Sequence, residues 1–192
     1  MMEQQEKAVN LFVCACNDMI RSNFILAKSK LAVVFKTIAA SEEIKKFFEE
    51  VVDGYQFKMA KTKCFSSTFD GRRLKQIILL PENPRERVAF LFCLLVEINK
   101  DKIDIVIDKI SFDAFLMRFF GSEGDFEKSY TAFCEQIMIP FRNTVYDAFM
   151  KPFQFYDYQK SGVEETPVSK AEEESSQEQP LSPRLCQRRS FL

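Results

Sequence analysis

The segment 84–98 constrains the fold more than any other part of the chain, because its residues are apolar on nearly every side of a helix. Asn83-Pro84-Arg85-Glu86 opens it with a strong helix-start pattern. Asparagine caps early amides, and proline at the first helical position gives up an amide that has no partner there anyway. A helix without a polar face needs apolar neighbours on all sides. We therefore predict that this helix lies in the middle of the core, with other helices around it.

Amphipathic segments that could surround the central helix lie on both sides of it in the chain. The spacing of apolar residues predicts helices over about 3–21, 27–38, 42–53, 55–64, 112–120 and 122–150. Ser41 suits the N-cap of the third helix, and Gly54 suits the position just past its end. Pro140 predicts a kink or two consecutive helices within the last segment. The sequence thus predicts a mainly α, single-domain bundle of about six to seven helices.

Two segments depart from the helical period. Asp70-Gly71 separates two short runs of β-prone residues and tolerates the backbone angles of a tight turn, which predicts one small β-hairpin around Asp70-Gly71. The segment 103–110 fits a strand through Ile103, Ile105 and Ile107, and it fits a helix equally well. The pattern leaves these two alternatives open.

The composition changes abruptly near residue 158. Of the 21 phenylalanines, only Phe191 lies beyond that point, and serine, glutamate, glutamine and proline dominate there. Such a segment buries too little apolar surface to offset the entropy of ordering. We predict a helical globular domain over 1–158 and a disordered acidic tail over 159–192 with a basic C-terminal end.

Composition excludes several functions and weighs against others. The chain has no histidine, which removes every mechanism built on an imidazole, and its five glycines assemble no phosphate-binding loop. No spacing suggests a metal site, so we expect no cofactor and no metal. Carboxylates alone could still support hydrolysis in a closed cleft, so enzyme activity stays open, although most acidic residues alternate with lysines as on a solvated surface.

Cysteines and termini indicate the cellular setting. The six cysteines fall mainly in apolar helical patterns, the polar start lacks the order of a signal peptide, and no apolar run reaches membrane-spanning length. We expect a reduced, cytoplasmic protein without a membrane span.

Two sets of residues are candidates for binding. The densest basic cluster is a candidate anion contact and consists of Lys58, Lys61, Lys63, Arg72, Arg73 and Lys75. Candidate partner contacts are the aromatic residues after the last helix and the apolar C-terminus, namely Phe153, Phe155, Tyr156, Ser190, Phe191 and Leu192. The terminal residues resemble ligands of PDZ domains.

The first hypothesis for function is a non-enzymatic protein–protein interaction or regulatory module. The alternative is an RNA- or phosphate-binding protein that uses the basic cluster, although the net charge of -1 argues against a general nucleic-acid binder. The partner protein is not identified by any motif, and a homo-oligomer remains possible.

Overall fold

The computed structural model describes residues 2–70, 73–105, 108–121, 124–152 and 155. It confirms the mainly α fold with a small β-hairpin. Helices are α1 (Met2–Ile20), α2 (Ala27–Ala40), α3 (Glu42–Val52), α4 (Phe57–Cys64), α5 (Pro84–Asn99), α6 (Phe112–Phe119), α7 (Phe126–Phe133) and α8 (Ile139–Met150). The strands are β1 (Phe65–Asp70), β2 (Arg73–Ile78), β3 (Ile103–Asp104) and β4 (Lys109–Ile110), and a 3-10 turn, Phe24–Leu26, precedes α2.

Helix α5 lies in the centre of the core, as its composition predicts. Seven of its residues are buried, and it contacts α2, α3, α4, α8 and β3. The Asn83 side chain accepts hydrogen bonds from the N–H groups of Arg85 and Glu86 at 2.9 and 3.2 Å, which confirms the predicted cap. Phenylalanine rings fill the space around α5, among them Phe48, whose ring stacks on Phe92 with centroids 4.3 Å apart.

The last helical segment is interrupted near its proline. A π-helical turn, Cys134–Met138, joins α7 to α8, and Pro140 lies in the first turn of α8. The Ile139 N–H donates to the carbonyl of Cys134, five residues earlier, instead of to a carbonyl four residues earlier as in an α-helix. Pro140, which has no N–H, therefore follows a point where the α-helical hydrogen-bond pattern is already interrupted. The sequence predicts a kink or two consecutive helices at Pro140, and the structure has α7 and α8 joined by the π turn, so the change of helix lies just before the proline.

Both non-helical segments form antiparallel strand pairs. β1 pairs with β2 from Phe65–Ile78 at the base to Asp70–Arg73 at the tip, so residues 71 and 72 separate the strands. β3 pairs with β4. Of the two alternatives for 103–110, strand or helix, the structure therefore has strands at both ends of the segment.

The predicted boundary at residue 158 and the tail over 159–192 lie outside the described residues, so they stay predictions. Within the part of the chain that is described, no helix is long and apolar enough to cross a membrane.

Candidate interaction site at helix α4

The predicted basic cluster surrounds α4, and the structure separates its members. Lys61 is only 3% exposed, and its Nζ lies 2.9 Å from Oε1 of Glu97 on α5 and 4.6 Å from the Phe57 ring centroid. The Lys61 ammonium is thus paired within the protein and is not free to bind an anion. Lys58 and Lys63 are exposed, but five helical residues place them about 140° apart around the α4 axis.

The remaining members of the cluster belong to the hairpin. Lys75 is exposed on β2, Arg73 is described only as part of the strand backbone, and Arg72 lies outside the described residues. On α4, therefore, Lys61 is paired with Glu97, and Lys58 and Lys63 lie on different sides of the helix, while the anion contact of the whole set stays a prediction.

The candidate partner contacts fall mostly outside the described residues. This applies to Phe153, Tyr156, Ser190, Phe191 and Leu192. Phe155 is described: its side chain is 4% exposed, and its ring centroid lies 5.8 Å from that of Phe47 on α3. Phe155 packs back on the domain, so its ring is not available on the surface.

A different surface brings exposed apolar side chains together around a concave site, which we call the α4 groove. It is an open cavity of about 490 Å³ between α4, the loop before it, the end of β2 and the start of α5. Met59 and Leu79 in its lining are 57% and 53% exposed. The apolar lining consists of Gly54, Tyr55, Met59, Ala60, Cys64, Leu79, Leu80 and Pro81, and the polar lining of Gln56, Lys63 and Glu86.

Local sequence places the walls of the α4 groove. Gly54 has φ +68°, a left-handed conformation that ends α3 and turns the chain toward α4. The Leu79 N–H donates to the Cys64 carbonyl at 2.8 Å, which fixes the residue that follows β2 against the end of α4. These contacts form the wall that contains α4 and β2.

Two arginines fix the opposite wall. Arg87 donates from Nε to the Pro81 carbonyl at 2.8 Å and from Nη2 to the Glu82 carbonyl at 3.0 Å. Arg85 Nη2 donates to the Glu50 carbonyl at 2.9 Å, which joins the start of α5 to α3. The α4 groove is therefore held in shape by contacts that involve no partner.

The Tyr55 hydroxyl is a polar group in this apolar lining. Its oxygen is buried and has no hydrogen-bond partner among the described residues. Burial raises the pKa of Tyr55, as do nearby Cys64, Glu86 and Cys93, so the hydroxyl stays protonated and can donate. A buried hydroxyl without a partner costs free energy, and because the oxygen is buried, the α4 groove presents the Tyr55 ring and not this hydroxyl to a ligand.

Thiols near the α4 groove are not activated for catalysis. Burial raises the pKa of the Cys64 thiol, and it raises the pKa of Cys93 to about 11. A thiol needs a lowered pKa to act as a nucleophile at neutral pH. Among the described residues, no group of three acidic or sulfur ligands could hold a metal ion.

The α4 groove could not be seen in the sequence, because the pattern predicts one helix over 55–64 and does not show which of its residues line a cavity. Tyr55 precedes α4, and Met59 points outward. One usable signal was Met59, a large apolar residue two positions before Lys61 and four positions before Lys63. Comparison of the chain with protein-family models, with curated proteins and with solved structures finds no match.

Proposed function

We propose that this chain is a non-enzymatic protein-interaction module and that the α4 groove binds an apolar segment of a partner protein. The observation that carries this proposal is the exposure of Met59 and Leu79 on either side of a preformed cavity of about 490 Å³. Exposed apolar side chains that line a concave site gain free energy when a complementary side chain displaces water from them.

The lining defines the chemistry of the partner segment. A large apolar side chain fits against Leu80, Pro81 and the Tyr55 ring. Lys63 and Glu86 in the lining are both exposed and make no ion pair within the described residues, so the Lys63 side of the α4 groove favours a carboxylate next to the apolar side chain and the Glu86 side disfavours one. The partner segment is therefore an apolar anchor flanked by an acidic residue.

The proposal includes a reducing, cytoplasmic setting. Cys14, Cys16, Cys64, Cys93 and Cys134 all carry unpaired thiols. Burial raises the pKa values of Cys16 and Cys134 to about 12 and about 11, which suits side chains that serve as small apolar groups.

Selection from a displayed peptide library on the full chain tests the proposal. We expect the retained peptides to share a large apolar residue next to Asp or Glu. Met59→Glu and Leu79→Glu should each weaken binding at least tenfold, whereas the matched control Val33→Glu, 45% exposed on α2, should leave it unchanged. Lys63→Glu should shift the preferred flanking residue from acidic to basic.

Tyr55→Phe separates the role of the Tyr55 ring from that of its hydroxyl. The variant removes a buried hydroxyl that has no partner in the described part of the chain and keeps the ring that lines the α4 groove, so the melting temperature should stay equal or rise and peptide affinity should stay unchanged. Peptides that bind Leu79→Glu as tightly as the unchanged protein would contradict the proposal. So would an absence of enriched peptides together with RNA retention that weakens steeply with salt.

A further inference from the structure

The segment 178–184 of this chain has the chemistry that the α4 groove favours in a partner. The segment lies outside the described residues, and its sequence is Glu178-Gln179-Pro180-Leu181-Ser182-Pro183-Arg184. Leu181 is a large apolar residue with an acid three positions before it and a base three positions after it. No other apolar residue of 159–192 lies between an acid and a base at this spacing.

The two charged side chains in the lining of the α4 groove match this order of charges. Lys63 and Glu86 are both exposed and make no ion pair within the described residues. Burial raises the pKa of the Cys64 thiol most, Glu86 raises it further, and Lys63 lowers it, so both charges lie close to Cys64 in the lining. A segment with an acid on one side of its apolar anchor and a base on the other can place each charge beside an opposite one.

The two prolines of the segment favour a backbone conformation that brings its three key side chains to one face. Pro180 and Pro183 each fix φ near −65°, which suits the polyproline II helix with its three residues per turn. Glu178, Leu181 and Arg184 then point the same way, each about 9 Å from the next. Aromatic-lined grooves bind such segments at a low entropic cost, and the α4 groove has a tyrosine ring in its lining.

The last described residue of the chain lies close to the α4 groove. Phe155 is 4% exposed, and its ring centroid lies 5.8 Å from that of Phe47 on α3. Gly54 in the groove lining follows the end of the same helix, seven residues after Phe47, which is roughly 10 Å at helical spacing. Leu181 comes 26 residues after Phe155. An unordered peptide of that length spans roughly 28 Å on average, so Leu181 can reach the groove.

We infer that segment 178–184 binds the α4 groove of its own chain and competes there with the partner segment. This inference rests on the proposed function of the α4 groove. In the closed form the leucine of the segment packs on the apolar lining. Glu178 then lies beside Lys63. At the other end of the segment, Arg184 lies beside Glu86.

The length of the connection sets how strongly the closed form competes. A connection of this length gives the segment an effective concentration on the order of 1 mM at the groove. A segment that binds alone with a Kd of about 100 µM would then occupy about nine-tenths of the molecules. The apparent affinity for a partner segment falls by the fraction of open molecules, which is about tenfold.

The affinity of the full chain for a peptide selected on it tests the inference. Leu181→Asp should raise this affinity about tenfold, because it removes the apolar anchor of the closed form. Leu185→Asp is the matched control: it makes the same change four residues later and should leave the affinity unchanged. Both substitutions lie outside the folded elements that the structure describes, so neither should alter the melting temperature.

Amide NMR without any added peptide gives a second readout. The spectra of the unchanged chain and of Leu181→Asp should differ at Tyr55, Met59 and Leu79. Glu178→Lys should move the same resonances part of the way toward their positions in Leu181→Asp. Because the effective concentration of about 1 mM exceeds that of the protein in solution, these differences should not change on dilution.

The outcomes separate this inference from the proposed function. Equal affinities and equal spectra for the unchanged chain and Leu181→Asp would overturn the inference and leave the proposed function intact, provided that Leu79→Glu still abolishes peptide binding. Spectral differences at the α4 groove in chains that bind no selected peptide would support the inference and refute binding of a partner segment. Differences that disappear on dilution would place Leu181 in the groove of a second copy and overturn binding within one chain.

Discussion

Replacing Glu97 by glutamine tests what holds α4, and with it one wall of the α4 groove, against the core. Glu97 Oε1 accepts from Lys61 Nζ at 2.9 Å, and its Oε2 accepts from the Asp104 N–H at 3.1 Å. One carboxylate thereby connects α4, α5 and β3. Glu97→Gln keeps the size of the side chain and the possibility of a neutral hydrogen bond, but it removes the negative charge.

The expected loss of stability follows from the burial of the two partners. Lys61 is 3% exposed, so its ammonium would remain in the core without a counter-charge. Removal of one partner from a buried pair costs about 3–5 kcal/mol. Glu97 is 22% exposed, and glutamine can still accept from Lys61, so we expect about 2 kcal/mol for Glu97→Gln. Lys61→Met should cost about 1 kcal/mol, because Glu97 keeps the Asp104 amide and some water.

Urea unfolding of the single and double variants measures the interaction. Lys61→Met/Glu97→Gln should be less destabilised than the sum of the single changes, because the double variant removes both charges and leaves neither one buried without its partner. Glu135→Gln, on the exposed side of the π turn, is the matched control and should stay within about 0.5 kcal/mol of the unchanged protein. A cost below about 0.5 kcal/mol for Glu97→Gln, or strict additivity, would refute the reasoning.

Two further predictions concern the cap of α5 and the turn after it. Asn83→Ala should cost about 1 kcal/mol in chemical denaturation, and an unchanged transition would count against the cap. The hydrogen bond from the Phe112 amide and the nearby Lys28 lower the pKa of Asp101 in the folded protein. The Asp101 carboxylate therefore stabilises the fold above its ordinary pKa of about 3.9. This contribution declines as the pH falls through the lowered pKa of the folded state. Below about pH 4 the melting temperature should therefore approach that of Asp101→Asn, and a constant difference between the two across the acid range would argue against this role.

The helices and their ends could be predicted because their signals are local. Ser41 accepts from the Ile44 N–H at 3.3 Å, Ser111 accepts from the Ala114 N–H at 3.3 Å, and Asn83 caps α5. Each of these bonds joins residues two or three positions apart. The central position of α5 could also be predicted from the sequence, because a helix without a polar face is stable only where apolar neighbours surround it.

The segment 103–110 could not be assigned because the contacts that decide it are distant. Its isoleucines satisfy both periods, and the choice depends on α5: Lys102 N–H donates to the Glu97 carbonyl at 3.2 Å, and Asp104 N–H donates to the Glu97 side chain. Lys61 illustrates the same limit. A lysine on an amphipathic helix suggests a surface, but here a carboxylate 36 residues away lies where α4 packs on α5.

The candidate site was harder to predict than the fold. A groove is formed by segments that are apart in sequence, here 54–64, 79–81 and Glu86, and no single segment carries a pattern for it. The basic residues stood out because they are close together in the sequence, but helical geometry and the Glu97 carboxylate separate the three lysines of α4 in space.

Amide-resolved NMR of the full chain with a selected peptide tests the proposed interaction most directly. We predict that chemical-shift changes on titration concentrate at Tyr55, Met59, Lys63, Leu79 and Leu80, and that they are lost in Leu79→Glu and kept in Val33→Glu. Changes that centre on α1 and α2, or that persist unaltered in Leu79→Glu, would contradict the assignment of the α4 groove as the binding surface.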